Sequence, residues 1–271
     1  MYAGTTFRRD SGRIVGVHQK IDRVARRYLK KHLPKTVIFP SIAQILHFEG
    51  KNGPDGIKRK SPAKDEPWHY IDPSKPDDRA LLGMIHDHIV NLTEALNIGN
   101  SVRAAFEASW LAHAVVDGLT PAHHYPLNDK IEELWGKPHH ERITIKDKNF
   151  IRGRNHRDTL SKNWQYWGAG GVFTAHFMFE WGVASVIAPE KFETSGPSDN
   201  DIARLERDGF EVMFMESVHK IYEMKMYDEF GATGWTRSLA DTTKNILVPE
   251  IIKIVCLAWY QAVYNARSDI E

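Results

Sequence analysis

Apolar residues that recur at helical spacing dominate this sequence. Between residues 77 and 99 they fall three or four positions apart, which places them on one face of a helix. The stripe consists of Leu81, Leu82, Ile85, Ile89, Leu92 and Leu96. The alternation typical of strands is nearly absent, and no internal repeat is found. The pattern predicts an all-α fold, a single-domain helical bundle whose long loops meet at one end.

Turn-forming residues divide the chain into the predicted elements. Asp77 or Asp78 is expected to cap a helix that runs to about Asn97, with Gly99 as its stop. Residues 125–160 are polar and show little periodicity, so they are predicted to be a loop insertion within one domain over residues 1–271. We expect a loop over 49–76 and further helices over 14–32, 36–48, 101–117, 172–188, 199–228 and 236–266, the last kinked at Pro249.

Overall charge and cysteine content limit the range of functions. The formal net charge is +1, so no global field attracts the chain to nucleic acid or to a membrane. The single cysteine, Cys256, excludes an internal disulfide framework. We see neither a signal-peptide core at the N-terminus nor a run near the ~18 apolar residues that span a bilayer. A cytoplasmic location is therefore expected, or secretion if an export segment is missing from the given sequence.

Two histidine–carboxylate pairs stand at helical spacing. His113 and Asp117 lie four residues apart in "HAVVDGLTPAHH", so their side chains share one face of a helix. His123 follows after a turn at Pro121. The second pair is His176 and Glu180, which lie among aromatic residues. A buried imidazole and carboxylate need a partner, and a divalent metal supplies one. Each pair taken alone is also typical of a hydrogen-bonded core pair.

The order of these motifs resembles the zinc-dependent phospholipase C family, whose fold is shared with the fungal nucleases specific for single strands. "DGLTPAHH" resembles the family signature in which Asp precedes Pro by four residues and His by six. "WHYIDP" is similar to the loop that carries a family histidine, here His69. Asp55 in "GPDG" stands where the family has a carboxylate ligand, and His18 matches the histidine of its first helix.

The resemblance implies a cluster of two or three zinc ions. A first site would use Asp55, His69, His113 and Asp117, and a second would use His123, His176 and Glu180. In the family, a third ion is bound by the first-helix histidine, the bridging aspartate, and the amino and carbonyl groups of an N-terminal tryptophan. Here those ligands are His18 and Asp117, but the chain begins with Met1 and its first tryptophan is Trp68. The alternatives for this third site are that it is empty, that it binds weakly, or that a group such as Asp10 completes it. Glu49 and Asp65 compete with Asp55 as the loop carboxylate, and His139, His140 and His156 compete with His176.

These ligands imply a metal-dependent phosphodiester hydrolase of phospholipase C type. Asp55 is expected to orient or deprotonate the attacking water. The substrate is a phosphate ester, with a phospholipid head group as one candidate, and no stable nucleic-acid complex is expected. The predicted substrate contacts are Trp68, Tyr70, His124, Arg152 and Arg154, with a solvated loop as the alternative for the two arginines. A single-strand nuclease or nucleotidase of the same fold, a hydrolase of soluble phosphate esters and a non-catalytic zinc protein remain open. So does the oligomeric state.

Overall fold

A computed structural model describes residues 1–2, 16–58, 60–61, 70–125 and 127–268. The described residues are 72% helical and form no strands, which confirms the all-α prediction. The helices are α1 Val17–His32, α2 Ile42–His47, α3 Pro54–Lys58, α4 Ala80–Asn97, α5 Ser101–Gly118, α6 Leu127–Trp135, α7 Ile145–Asn149, α8 His156–Trp167, α9 Val172–Ile187, α10 Asp199–Asp208, α11 Phe210–Glu223, α12 Met226–Thr233, α13 Arg237–Thr242 and α14 Val248–Ser268.

The helix α5 is the central element of the bundle. Its N-terminus is capped by the Asn100 side chain, which accepts a hydrogen bond from the Arg103 amide at 3.0 Å. It packs against α1, α2, α4 and α14, so most of its C-terminal half is buried. A Cβ at its last residue, Gly118, would stand 2.7 Å from Leu81 and Phe214 side-chain atoms. Because of this close approach, the C-terminal end of α5 lies deep in the core.

Helix starts differ from the prediction at two places. The helix α4 begins at Ala80 with Arg79 at its N-cap, because the Asp78 carboxylate instead accepts the Asp72 amide at 2.9 Å. The helix predicted over 36–48 shortens to α2, whose Ser41 and Gln44 form a reciprocal capping box just after Pro40. The predicted stop at Gly99 is confirmed by its φ of +69°.

The two long C-terminal helices are each interrupted. Gly209, at φ +81°, separates α10 from α11, and Lys225, at φ +51°, separates α11 from α12. The last helical run is distorted by a π-helical turn, Thr243–Leu247, immediately before α14. Pro249 lies in the first turn of α14, where its missing amide and its clash with the carbonyl four residues earlier account for the distortion.

The predicted loop over 125–160 is wrong for most of its described residues. They form α6, α7, a short 3₁₀ turn and the start of α8. Ile131, Trp135, Ile151 and Tyr166 bury one another in a small apolar cluster beside the main core. The side chain of Asn163 on α8 also bonds both main-chain groups of Ile151. Local packing, rather than a periodic apolar stripe, therefore holds this region together.

The run Arg237–Ala266 is the one candidate membrane span among the described residues, by length and composition. By these two criteria, the expectation that no segment is apolar enough to span a bilayer does not hold for this run. Its most apolar window has a mean hydropathy of 1.6, and 78% of that window is buried inside the protein. The apolar character of α14 is accounted for by its packing against α1, α4 and α5.

Candidate metal centre

The C-terminal end of α5 brings the predicted ligands together around Asp117. One carboxylate oxygen, Oδ1, lies 3.3 Å from Nε2 of His18 on α1. The other, Oδ2, lies 3.2 Å from Nε2 of His113, one turn back on α5, and 3.9 Å from Nδ1 of His123. The Asp117 side chain is buried. One of its oxygens faces His18, and the other faces His113 and His123.

His18, His113 and Asp117 form the first of two ligand triads, called the inner triad here. Their ligand atoms lie within 4.8 Å of one another, and all three residues are buried. The His18 and His113 rings stack with centroids 4.0 Å apart. The i, i+4 spacing on α5 and the crossing of α1 over it explain this convergence.

The main chain of Met1 completes the surroundings of the inner triad. Its amino nitrogen lies 2.5 Å from Asp117 Oδ1 and 3.3 Å from Glu180 Oε1. Its carbonyl accepts a hydrogen bond from His18 Nε2 at 2.8 Å. Side-chain types such as tryptophan or Asp10 do not reveal this arrangement in the sequence, because the groups that converge here are backbone atoms. Asp10 lies outside the described residues.

Glu49, which the sequence suggested only as an alternative to Asp55, contacts a histidine of the inner triad. Its Oε1 accepts a hydrogen bond from His113 Nδ1 at 2.9 Å, and its Oε2 accepts the Gly50 amide at 3.0 Å. The carboxylate therefore lies on the side of the ring away from Asp117. Such an outer carboxylate fixes the tautomer and the orientation of a metal-binding histidine.

His123, His176 and Glu180 form the second triad, called the outer triad. Glu180 Oε1 lies 3.1 Å from His123 Nε2 and 3.0 Å from His176 Nε2. His176 and Glu180 stand one turn apart on α9, while His123 is held in the 3₁₀ turn Pro121–His124 that follows α5. The His176 side chain is 12% exposed, so this triad lies closer to solvent than the inner one.

The spacings in both triads match the requirements of a transition metal. Metal bonds of about 2.0–2.1 Å in a tetrahedron put neighbouring ligand atoms roughly 3.3 Å apart. Within each triad, the distances from histidine nitrogen to carboxylate oxygen run from 3.0 to 3.3 Å. Imidazole and carboxylate are also the donors that divalent transition metals favour. The part of the chain that the structure describes thus contains two His/Asp/Glu groups able to hold metal ions.

Asp55 lies at the edge of the inner triad. Its Oδ1 is 3.9 Å from His113 Nε2, and its side chain is 27% exposed, unlike the buried Asp117. It stands in the first turn of α3, which packs against the preceding turn so closely that a Cβ on Gly56 would lie 2.0 Å from the Lys51 carbonyl. Only glycine allows this contact, which holds Asp55 in place.

The remaining predicted residues divide into three groups. Tyr70 lies at the site, with its ring 4.9 Å from that of His123 and 6.3 Å from that of His176. Lys58 places its Nζ 5.7 Å from the Tyr70 ring centre. Arg152 and Arg154 are exposed just before α8. His69 and Trp68 lie outside the described residues.

His124 does not occupy the rim position expected for a substrate contact. Its side chain is buried, and its Nε2 donates to the Gly118 carbonyl at 2.8 Å. Burial lowers the pKa of His124 to about 4, against the raising effect of that hydrogen bond. This geometry assigns it to holding the turn after α5.

The ionisation of the cluster follows from burial opposed by close charges. Burial alone would raise the pKa of the Asp117 carboxyl, but the Met1 amino group and the surrounding histidines hold it well below its usual value. Glu180 behaves in the same way. Burial lowers the pKa of the Met1 amino group, but Asp117, Glu180 and Asp55 outweigh it and bring that pKa to about 10. Both carboxylates therefore remain ionised, as metal ligands must be.

Comparisons with known proteins add no family to this geometry. No protein-family model, no curated protein and no solved structure matches the chain.

Proposed function

We propose that this chain is a zinc-dependent hydrolase of phosphate esters, similar to phospholipase C. The observation that carries the proposal is Asp117, whose Oδ1 lies 3.3 Å from His18 Nε2 and whose Oδ2 lies 3.2 Å from His113 Nε2. A carboxylate shared between neighbouring metal sites is the arrangement that a clustered-metal phosphoesterase needs. The motif order described under sequence analysis supports the same class.

The residues that would hold the ions follow from the contacts. The outer triad would bind one ion through His123, His176 and Glu180. His113, Asp117 and Asp55 would bind a second, with His69 as the further ligand that the motif order implies. His18, Asp117 and the amino and carbonyl groups of Met1 would bind a third.

Zinc, when bound, would lower the pKa of a water molecule and neutralise charge on the phosphate. Asp55 is the carboxylate placed to accept a proton from that water, because it reaches solvent while Asp117 and Glu180 are buried. Tyr70 forms a wall beside the outer triad, stacked on His123. Lys58, next to Tyr70, supplies a positive charge that would orient an anionic substrate.

The test is turnover of a chromogenic phosphodiester by the full chain. We expect hydrolysis that a chelator abolishes and zinc restores. Asp117→Ala should lower kcat/KM by at least about 10³-fold and reduce bound zinc, since it removes a ligand that two of the three proposed ions share. Asp87→Ala is the matched control, because Asp87 is an exposed aspartate on α4.

Two outcomes would separate this proposal from its alternatives. Stoichiometric zinc without turnover of any phosphate ester would favour the non-catalytic zinc protein. Turnover of single-stranded DNA in preference to a phosphatidylcholine analogue would favour the nuclease. Full activity of Asp117→Ala with unchanged zinc content would reject the metal assignment itself.

A further inference from the structure

The helix α8 presents apolar side chains to solvent on one face. Leu160 and Trp164 are each 72% exposed, and Trp167 is 41% exposed. They stand at i, i+4 and i+7, so they form one stripe along the helix, called the α8 stripe here. Tyr166, which lies off the stripe, is buried against the protein, and Asn163 beside the stripe bonds Ile151. The stripe is therefore not a core face of α8.

The segment that contains the α8 stripe is rich in positive charge. Residues 143–167 contain six lysines or arginines and two aspartates, for a net charge of +4 in a chain whose total is +1. Arg157 follows the same face of α8, and Arg152 and Arg154 are exposed just before it. Phe150, 41% exposed, adds a further apolar side chain beside Ile151. This segment is thus more positive than the chain as a whole, and it carries the exposed tryptophans.

The α8 stripe lies on the side of the protein that carries the metal centre. The Thr174 hydroxyl on α9 donates to the Trp167 carbonyl at 2.8 Å, and the rings of Trp167 and Phe173 are 4.6 Å apart. Phe173 precedes the ligand His176 by one turn of α9. The stripe therefore ends about one helical turn from the outer triad.

We propose that the α8 stripe binds the surface of an anionic phospholipid bilayer. Exposed tryptophan and leucine suit the boundary between head groups and acyl chains, and arginine and lysine beside them suit anionic head groups. A protein partner would not by itself require the excess of positive charge. That such binding brings the metal centre to a bilayer phospholipid as substrate rests on the function proposed above, whereas the binding itself does not.

The direct test is co-flotation of the full chain with vesicles. We expect the wild-type protein to bind vesicles of phosphatidylcholine with phosphatidylserine at least about tenfold more tightly than vesicles of phosphatidylcholine alone, with loss of the difference at high salt. The double substitution Leu160→Ser with Trp164→Ser should reduce binding to the anionic vesicles by at least about tenfold. Ile98→Ser with Val102→Ser is the matched control, because both residues are 67% exposed on a different surface.

A labelled variant tests the same surface without removing the tryptophans. Leu160→Cys can carry an environment-sensitive fluorophore, since the native thiol of Cys256 is buried. Its emission should shift to shorter wavelength on addition of anionic vesicles. The same label at Val102→Cys should show no shift.

Several results would overturn the inference. One is that the wild-type protein floats with neither kind of vesicle. Another is that the double variant at Leu160 and Trp164 binds as tightly as the wild type. A third is that the emission of the label at Leu160→Cys does not shift when anionic vesicles are added. Single-stranded DNA bound through the same residues in place of vesicles would assign the stripe to nucleic acid. Vesicle binding is measured with and without chelator, so a failed hydrolase assay and a failed binding assay remain separate results.

Discussion

The two ligand triads differ in how the protein surrounds them. The inner triad is buried on every side, with Glu49 behind His113 and the main chain of Met1 against Asp117. The outer triad has a partly exposed histidine, His176, and an aromatic wall, Tyr70. Structural metal sites are closed, whereas catalytic sites keep access for water or substrate. In the proposed hydrolase, this difference would place the outer triad, together with Asp55, on the substrate side of the centre.

The pKa values of His113 and His123 also distinguish the two triads. Burial lowers the pKa of His113, but the Glu49 and Asp117 carboxylates outweigh it and hold that pKa well above its usual range. Burial lowers the pKa of His123 to about 4, since the raising effect of Asp117 is partly opposed by the Met1 amino group. In the metal-free protein the inner histidine is thus protonated and would release a proton on binding a metal, while the outer one is already neutral.

The largest expected effect separates the triads by removing a ligand from only one. Glu180→Gln keeps the shape of the outer triad but removes the charge that contacts both His123 and His176. We expect the loss of one ion per chain and a fall in kcat/KM of at least about 10²-fold, with the inner triad still loaded. Metal analysis after gel filtration measures this, and exposed Glu193→Gln is the control. Loss of all bound metal would show that the triads are not separate sites.

A second prediction tests whether Glu49 positions the inner triad. Glu49→Ala removes the acceptor of His113 Nδ1 and should weaken metal affinity there by about 10- to 100-fold. Glu49→Gln keeps an acceptor oxygen and should recover most of that loss. Titration against a competing chelator gives the affinities. Equal affinities for the wild type and Glu49→Ala would remove Glu49 from the centre.

A third prediction concerns the main chain of Met1. A Gly-Ser extension before Met1 replaces its amino group with a peptide amide, which carries no positive charge and is a poor metal ligand. We expect the extended protein to bind one ion fewer than the protein that starts at Met1, with the outer triad unaffected. The same extension at the C-terminus is the control. Identical metal content in all three proteins would contradict a role for the Met1 amine.

The smallest expected effect is on stability. Asp22 is buried behind the inner triad, and burial and the nearby Glu49 raise the pKa of its carboxyl well above the usual value. Because the folded state prefers the protonated acid, ionisation at neutral pH destabilises it. Asp22→Asn should therefore stabilise the metal-free protein by about 1–3 kcal/mol at pH 7.

The pH dependence provides the control for this prediction. The advantage of Asp22→Asn should shrink as the pH falls and disappear near the unfolded pKa of about 4. Urea unfolding in the presence of chelator measures it, with exposed Asp87→Asn as the matched variant. A destabilised Asp22→Asn at pH 7 would mean that the ionised carboxylate supports the fold.

The sequence predicted the ligands that helix geometry fixes. His113 with Asp117 and His176 with Glu180 stand at i, i+4, and that spacing dictates a shared face wherever the helix lies. The contact of Glu49 with His113 and the position of the Met1 main chain could not be predicted, for different reasons. A loop residue has no periodicity to reveal its direction, and a backbone ligand leaves no residue type in the sequence.

The fold shows the same division. Long apolar stripes such as that of α4 predicted helices close to their observed bounds. The helices within residues 125–160 were not predicted, because they are short and polar and lack an apolar stripe of their own. They are held by the packing of Ile131, Trp135 and Tyr166. Breaks at Lys225 and before Pro249 depend on local backbone conformation, which hydrophobic periodicity does not report.

Anomalous diffraction at the zinc edge from zinc-loaded crystals tests the central claim most directly. The account predicts separate peaks, one among His123, His176 and Glu180 and at least one beside His113 or His18, with the Asp117 carboxylate between them. An absence of peaks at these side chains, or a single ion bound elsewhere on the protein, would contradict it.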